Sequence, residues 1–392
     1  MAETQGVTAL QGPGARIAAL PRVAGTGAAL RRVAIVAGSG QQLWRLRGGL
    51  IGAMRANRHA VTCFAPVFSG DSETGLDDLG VERRVLAPEE PGFHFFGERR
   101  RVVALAREFE ALRPHVVLAV CGPDGLRAVK AAKRAKVEQV VAIVSEVPAK
   151  GMNEALVRVT AKTMELADLA VFHNADDPKT LRSRGMLPAD LAYVIVPGAG
   201  VDLAYHGVQP LPPLGEGLVF LMISRLDSVK GVLDFCEAAR ILKARAPSAR
   251  FRLAGPAGDG ATGVSVAAVR AFGDCVEYLG ALDDVRPALG GCHVYVYSSH
   301  AEGMPRSVLE AMAAGRPVIT SNLAGCRDTV DERINGCLVT PSDPNELAAA
   351  MESFLKRPDL IPSIARASRA KAERRFDERD VHATLLGVMG LG

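Results

Sequence analysis

Short apolar runs recur along this chain at intervals that leave room for one helix between each pair. RRVAIVAG (31–38), AVTCFAP (60–66), HVVLAV (115–120), QVVAIV (139–144), LAVFHN (169–174) and YVIVPGAGVD (193–202) are continuous rather than alternating in polarity. A strand apolar on both faces is covered on both faces, which is the signature of a parallel sheet. The segments between them carry helical spacing. In LWRLRGGLIGAMRANR (43–58) the apolar positions are Leu43, Leu46, Leu50 and Met54, and a second helix with Leu105, Phe109 and Leu112 precedes HVVLAV. This strand–helix–strand rhythm predicts a doubly wound α/β sheet.

The rhythm pauses at GVQPLPPLGEG (207–217), whose three prolines and three glycines read as a linker, and then restarts. LVFLMIS (218–224), FRLAG (251–255), CVEYLG (275–280), HVYVYSS (293–299) and PVITS (317–321) are the strands of a second sheet, with VLDFCEAARILKAR (232–245) as a helix. The expected organisation is therefore a Gly/Ala/Pro-rich disordered tail over 1–30, one Rossmann-like domain over 31–206, a hinge at 207–217 and a second Rossmann-like domain over 218–373. A final helix over 374–392 returns to the first domain. Ligands in such sheets bind beyond the carboxyl ends of the strands, so two sheets facing a cleft would place the site there.

Composition narrows the classes. The N-terminus lacks a signal peptide's basic start and apolar core, and no run of 18 apolar residues occurs. Seven scattered cysteines without a C-x-x-C pair suggest reduced thiols, a cytoplasmic address and no zinc site. The net charge of +4 is uneven. Residues 1–205 hold 26 Lys and Arg against 21 Asp and Glu, or +5, while 206–392 hold 21 against 22, or −1. The basic half, with Arg99–Arg101 and Lys130, Lys133, Arg134 and Lys136, suits an anionic membrane surface as readily as plain solvation. No nucleic-acid motif accompanies it.

Two stretches carry chemistry. In SSHAEGMPRSVLEAMAAGRPVIT (298–320) a strand ends, Glu302 precedes Gly303-Met304-Pro305, and a helix opens near Pro305 and closes at Gly315. A helix start offers free amides to an anion. Glu310 sits among Val308, Leu309, Ala311 and Met312, where a carboxylate is either paired or holds a polar ligand such as a ribose diol. In ISRLDSVKGV (223–232) Arg225 and Lys230 follow a strand end, and two such cations suit a diphosphate. In the first half, GSGQQLWRLRGGLI (38–51) follows a strand with a Gly38-Ser39-Gly40 loop. A nicotinamide fingerprint would need glycine at 43 and an acid after the second strand, but the chain has Leu43 and Ala65-Pro66.

Together these strings resemble the retaining GT-B glycosyltransferases of family 4. SRLDSVKG, EGMPRSVLEAMAAGRPVI, NGCLVTPSDPNELAAAM (335–351) and PGAGVDL (197–203) carry the resemblance, which is dense from 193 onward. It implies a GT-B fold and a metal-independent hexosyl transfer in which no cofactor takes part. The donor is a nucleotide-sugar, with UDP the expected nucleotide. By resemblance Arg225 and Lys230 bind the donor diphosphate, Glu302 and the Gly303-Met304 backbone meet the donor sugar, and Glu310 binds the ribose. Pro305, Ser307 and Val308 are also expected to contact the donor, while Gly280 and Leu282, in GALDD (280–284), lie near the base. Gly38 and Gly40 match the family's glycine-rich loop. The aromatic–x–x–Arg run Trp44 to Arg47 points to the branch that extends saccharides on polyprenyl-diphosphate carriers or builds surface polysaccharides at the inner membrane face.

The acceptor side departs from that branch at CGPDGLR (121–127) and SEVPAKGMNE (145–154), where Cys121–Gly125 and Glu146 are nonetheless expected to line the cleft. His173 and His300 read as satisfied structural histidines. Two other readings use the same architecture: a nucleotide-sugar epimerase, or a nucleotide-binding protein without transfer activity.

Overall fold

The computed structural model describes residues 30–86, 94–145, 147, 154–258 and 260–392. All of the expected tail over 1–30 except Leu30, together with Glu146 and residues 148–153, lies outside the described residues. Contacts divide the chain into two compact units, one of residues up to Ala199 with Arg379–Gly392, the other of Gly200–Glu378.

The first unit is a parallel seven-stranded sheet. Its strands are β1 (Arg32–Val36), β2 (Ala60–Ala65), β3 (Glu82–Val85), β4 (Val116–Val120), β5 (Gln139–Val144), β6 (Leu169–Phe172) and β7 (Ala192–Ile195), in the order β3-β2-β1-β4-β5-β6-β7. The apolar runs became these strands because helices cover both faces, and every residue of β4 and β6 is buried. The edge strand β3 reads ERRV and has no apolar period to betray it. Its Arg83 forks onto Asp77 at 2.9 Å. The last helix, Glu378–Val388, adds Val381, Leu385 and Leu386 to the core under β1 and β2.

The second unit repeats the plan with six parallel strands: β8 (Val219–Ile223), β9 (Arg250–Ala254), β10 (Glu277–Gly280), β11 (Val294–Tyr297), β12 (Val318–Ser321) and β13 (Gly336–Val339). The order β10-β9-β8-β11-β12-β13 reverses direction between β8 and β11. That switch point is where an open α/β sheet leaves a crevice for ligand. Phe220 of β8 stacks on Phe251 of β9, with ring centroids 5.4 Å apart.

Residues 207–217, expected from sequence to be a hinge, fall inside the second unit. Arg316 explains how. It is fully buried, and its guanidinium donates to the carbonyls of Leu289 (2.8 Å), Gln209 (3.0 Å) and Pro210 (2.8 Å). Arg369 similarly reaches the carbonyls of Ala313 (2.6 Å) and His206 (3.0 Å). A planar fork with five donors satisfies carbonyls that helix ends and an irregular segment would otherwise leave unmet. The division into units falls instead at Gly200. There φ is +72°, and a Cβ would lie 2.5 Å from the Glu378 Cα. Val201 donates to the Phe376 carbonyl at 2.8 Å and accepts from the Glu378 amide at 3.1 Å.

All seven cysteines are free thiols. Burial pushes Cys63, Cys236 and Cys292 up to about 12. No helix among the described residues is long and apolar enough to cross a membrane.

Candidate functional site

The two chemical stretches meet at the switch point of the second sheet. The loop after β8 carries Arg225 and Lys230, and the loop after β11 carries Glu302. Lys230 Nζ lies 3.0 Å from Glu302 Oε2 and 3.4 Å from the Ala301 carbonyl. The hydroxyl of buried Tyr297 donates to the same carboxylate oxygen at 2.5 Å, and burial with the adjacent charge pushes that phenol well above its usual range. Arg225 is 53 % exposed, and its Nη2 donates to the Asp227 carboxylate at 3.1 Å. Asp227 is nearly buried, and its other oxygen caps the turn Ser228–Lys230 by accepting from the Val229 amide at 3.0 Å. That cap fixes where Lys230 starts.

The loops are clamped at a spacing no side chain could share. Gly231 has φ +70°, and a Cβ there would sit 1.9 Å from the Ser298 carbonyl oxygen. The Ser298 hydroxyl donates back to the Gly231 carbonyl at 2.8 Å, and the His300 amide donates to the Val229 carbonyl at 2.7 Å. His300 Nε2 lies 2.5 Å from the Asp234 carboxylate on the helix Val232–Lys243. This imidazole is structurally partnered, as its sequence context suggests. A third loop closes in from β12. Gly325, φ +71°, packs so tightly that a Cβ would fall 1.5 Å from the Gly303 carbonyl oxygen.

The helix Arg306–Ala313 starts at this point with Pro305 as its N-cap, and its first amides have no partner within the helix. Val308 is buried in the core, and its amide donates to the Pro305 carbonyl at 3.1 Å. The hydroxyl of buried Tyr295 donates to the Ile223 carbonyl at 3.1 Å. Glu310 is 13 % exposed. Its Oε1 accepts from Arg306 Nε at 2.8 Å and lies 3.7 Å from His206 Nε2, while Oε2 has no hydrogen bond among the described residues. Burial lowers the pKa of His206, which favours the neutral ring beside Glu310. A chain of contacts continues from His206. Tyr205 packs edge-on against His206 with centroids 5.0 Å apart, Arg286 lies 3.9 Å over the Tyr205 ring, and Asp284 holds Arg286 through two bonds.

The structure thus gathers Arg225, Lys230, Glu302, Gly303, Met304, Pro305, Ser307, Val308 and Glu310 at one sheet end. Gly280 ends β10, where its carbonyl accepts from the Gly255 amide at 2.7 Å, and Leu282 follows two residues later. Asp227, Tyr297, Gly231, Ser298, Gly325 and His206 were not singled out from sequence. Asp227 had a signal, an Asx cap two residues before the Val229 amide. The rest act across loops far apart in the chain.

Gly38 and Gly40 belong to the first unit, after β1. The Gly40 amide donates to the Val67 carbonyl at 2.8 Å, and a Cβ at Gly40 would press on Phe68 at 2.7 Å. Packing alone accounts for that glycine. Residues 121–127 open the helix Pro123–Arg134, with a Cβ at Gly125 blocked by the Val120 carbonyl 2.0 Å away.

Residues 217–357 match the family model described as glycosyl transferases group 1. Across 86 % of its length the chain is 23 % identical to 93 % of the N,N'-diacetylbacillosaminyl-diphospho-undecaprenol alpha-1,3-N-acetylgalactosaminyltransferase of Campylobacter jejuni. In its fold it is similar to Anabaena HepE, solved with UDP and glucose, at a TM-score of 0.75 and 19 % identity, with 91 % of this chain and 98 % of that one covered. The chain has the GT-B fold, and its second unit resembles the glycosyl transferases of group 1. The D-inositol 3-phosphate glycosyltransferase of Thermobispora bispora is 26 % identical over 54 % of this chain and 54 % of its own length. The family match falls on the unit that carries the Lys230–Glu302 pair, and the match with the Campylobacter enzyme spans both units.

Proposed function

We propose that this chain is a glycosyltransferase that moves a sugar from a UDP-sugar to a saccharide carried on a polyprenyl diphosphate. The reaction retains the anomeric configuration, uses no metal ion and serves the assembly of a surface polysaccharide or related glycan at the inner face of the plasma membrane. The observation that carries the reading is the juxtaposition of Lys230, Arg225 and the start of the helix Arg306–Ala313 at one switch point. Two cations and a helix N-terminus supply what a departing diphosphate needs, and supply it before charge develops. Glu302, now shared between Lys230 and Tyr297, exchanges Lys230 for sugar hydroxyls when the diphosphate claims the ammonium. The open Oε2 of Glu310 is left for ribose hydroxyls. The acceptor hydroxyl attacks from the face that the diphosphate leaves, so the protein's work is orientation and charge stabilisation. The carrier-linked acceptor is supported by the name of the Campylobacter relative, and UDP by the Anabaena complex.

The test is transfer from UDP-sugars to a prenyl-diphosphate-linked saccharide in excess chelator, with the product's anomeric configuration read by NMR. Lys230→Ala and Arg225→Ala should each abolish turnover and leave the melting temperature unchanged within a few degrees. Full turnover by either variant, or donor isomerised without acceptor, would overturn the assignment.

A further inference from the structure

Arg47 lies on the buried face of the helix Gly40–Ala56, and only 3 % of its surface is accessible. No carboxylate among the described residues pairs with it. Its one hydrogen bond joins Nη2 to Nε2 of His173 at 3.1 Å, and its Nε is buried with no partner. An unpaired buried guanidinium is costly, and burial lowers its pKa to about 10. His173 offers no compensating charge. Burial and the adjacent arginine depress it to about 3, so the ring is neutral. Its neighbour across the sheet adds a second unmet group. Ser145 follows β5 as His173 follows β6, one step past the register pair Val144–Phe172. The Ser145 hydroxyl is buried and has no hydrogen-bond partner among the described residues. Packing explains the other half of the Trp44 to Arg47 run: the Trp44 ring fills the space that Gly75 and Gly48 leave open. Packing gives no such reason for Arg47.

We infer that Arg47, Ser145 and His173 form an oxyanion subsite in the first unit, at the carboxyl ends of β5 and β6, that takes a phosphate or diphosphate group. The ligand supplies the negative charge that the described residues of the site lack. Arg47 Nε and the Ser145 hydroxyl donate to its oxygens, while His173 holds Nη2 and fixes the plane of the guanidinium. Assigning that anion to the carrier diphosphate of the acceptor rests on the function proposed above, whereas the subsite itself does not.

The experiment uses the full chain with Arg225→Ala and Lys230→Ala, so that the second unit no longer takes diphosphate. Saturating inorganic diphosphate should raise the melting temperature by on the order of 5 °C. Adding Arg47→Met should abolish that shift, and Ser145→Ala, a milder change, should weaken diphosphate binding several-fold. Relief of the unpaired charge should also let ligand-free Arg47→Met melt at or above its parent. Geranyl diphosphate binding at least tenfold more tightly than inorganic diphosphate identifies a lipid-carried anion, and equal binding identifies a free one. No shift in the silenced background, or a shift that survives both Arg47→Met and Ser145→Ala, would overturn the subsite. If Arg47→Met does not fold, Ser145→Ala decides. UDP on the unaltered chain gives a separate reading: its failure to shift the melt would indict the donor site and leave the diphosphate result standing.

Discussion

Replacing Gly325 with alanine tests whether the donor loop is placed by backbone contact. The added methyl group would lie 1.5 Å from the Gly303 carbonyl oxygen, where a Cβ essentially never approaches closer than 3.0 Å, so the two backbones must part by at least 1.5 Å. Gly303 follows Glu302 directly, and a misplacement of about 1 Å at a reacting centre costs roughly 10²-fold in rate. The left-handed φ of +71° adds about 1–3 kcal/mol of strain for any residue with a side chain. Gly273→Ala is the control. It sits at φ +57° with nothing within 4 Å of the added methyl, so it bears the strain without the clash. Steady-state kcat/KM for the donor and the melting temperature would be measured for both variants. Gly325→Ala should lose about two orders of magnitude in kcat/KM, and Gly273→Ala should lose some stability and almost no activity. Activity in Gly325→Ala within threefold of wild type would refute the view that this contact positions Glu302.

Glu310→Gln should weaken UDP binding about tenfold through loss of a charge-assisted acceptor, and calorimetry with 2'-deoxy-UDP should show the difference shrinking, since the hydroxyl is gone. His173 supplies a pH dependence. Its folded pKa is depressed to about 3, so the stability held by the neutral ring is complete above its unfolded value of about 6.5. As pH falls between those values the unfolded chain takes up a proton that the folded chain refuses, costing up to roughly 5 kcal/mol. Thermal unfolding from pH 7 to pH 4 should show a steeper loss in wild type than in His173→Gln, and parallel slopes would contradict the assigned burial.

The strands were legible because parallel sheets bury both faces, so apolar runs such as QVVAIV coincide with β5 residue for residue. The polar edge strand β3 was not, since ERRV has no such run. Arg225, Lys230, Glu302 and Glu310 were legible because their types and spacing are chemical. The glycines that clamp them answer to carbonyls 67 and 22 positions away, and no local pattern encodes such a meeting. Arg47 had a signal that is plain in retrospect. It stands four residues after Leu43 and three before Leu50, on the stripe that the structure buries, while Leu46 is only half-buried.

The sealed thiols make the protein its own reporter. Cys63 lies in the core of the first unit, and Cys236 and Cys292 in that of the second, each too buried and too protonated to meet an alkylating reagent. Reagent can reach them only through transient opening of the surrounding structure. Mass-resolved alkylation in native buffer would therefore time the opening of each half separately, with no label introduced, and would show which half a bound nucleotide holds shut.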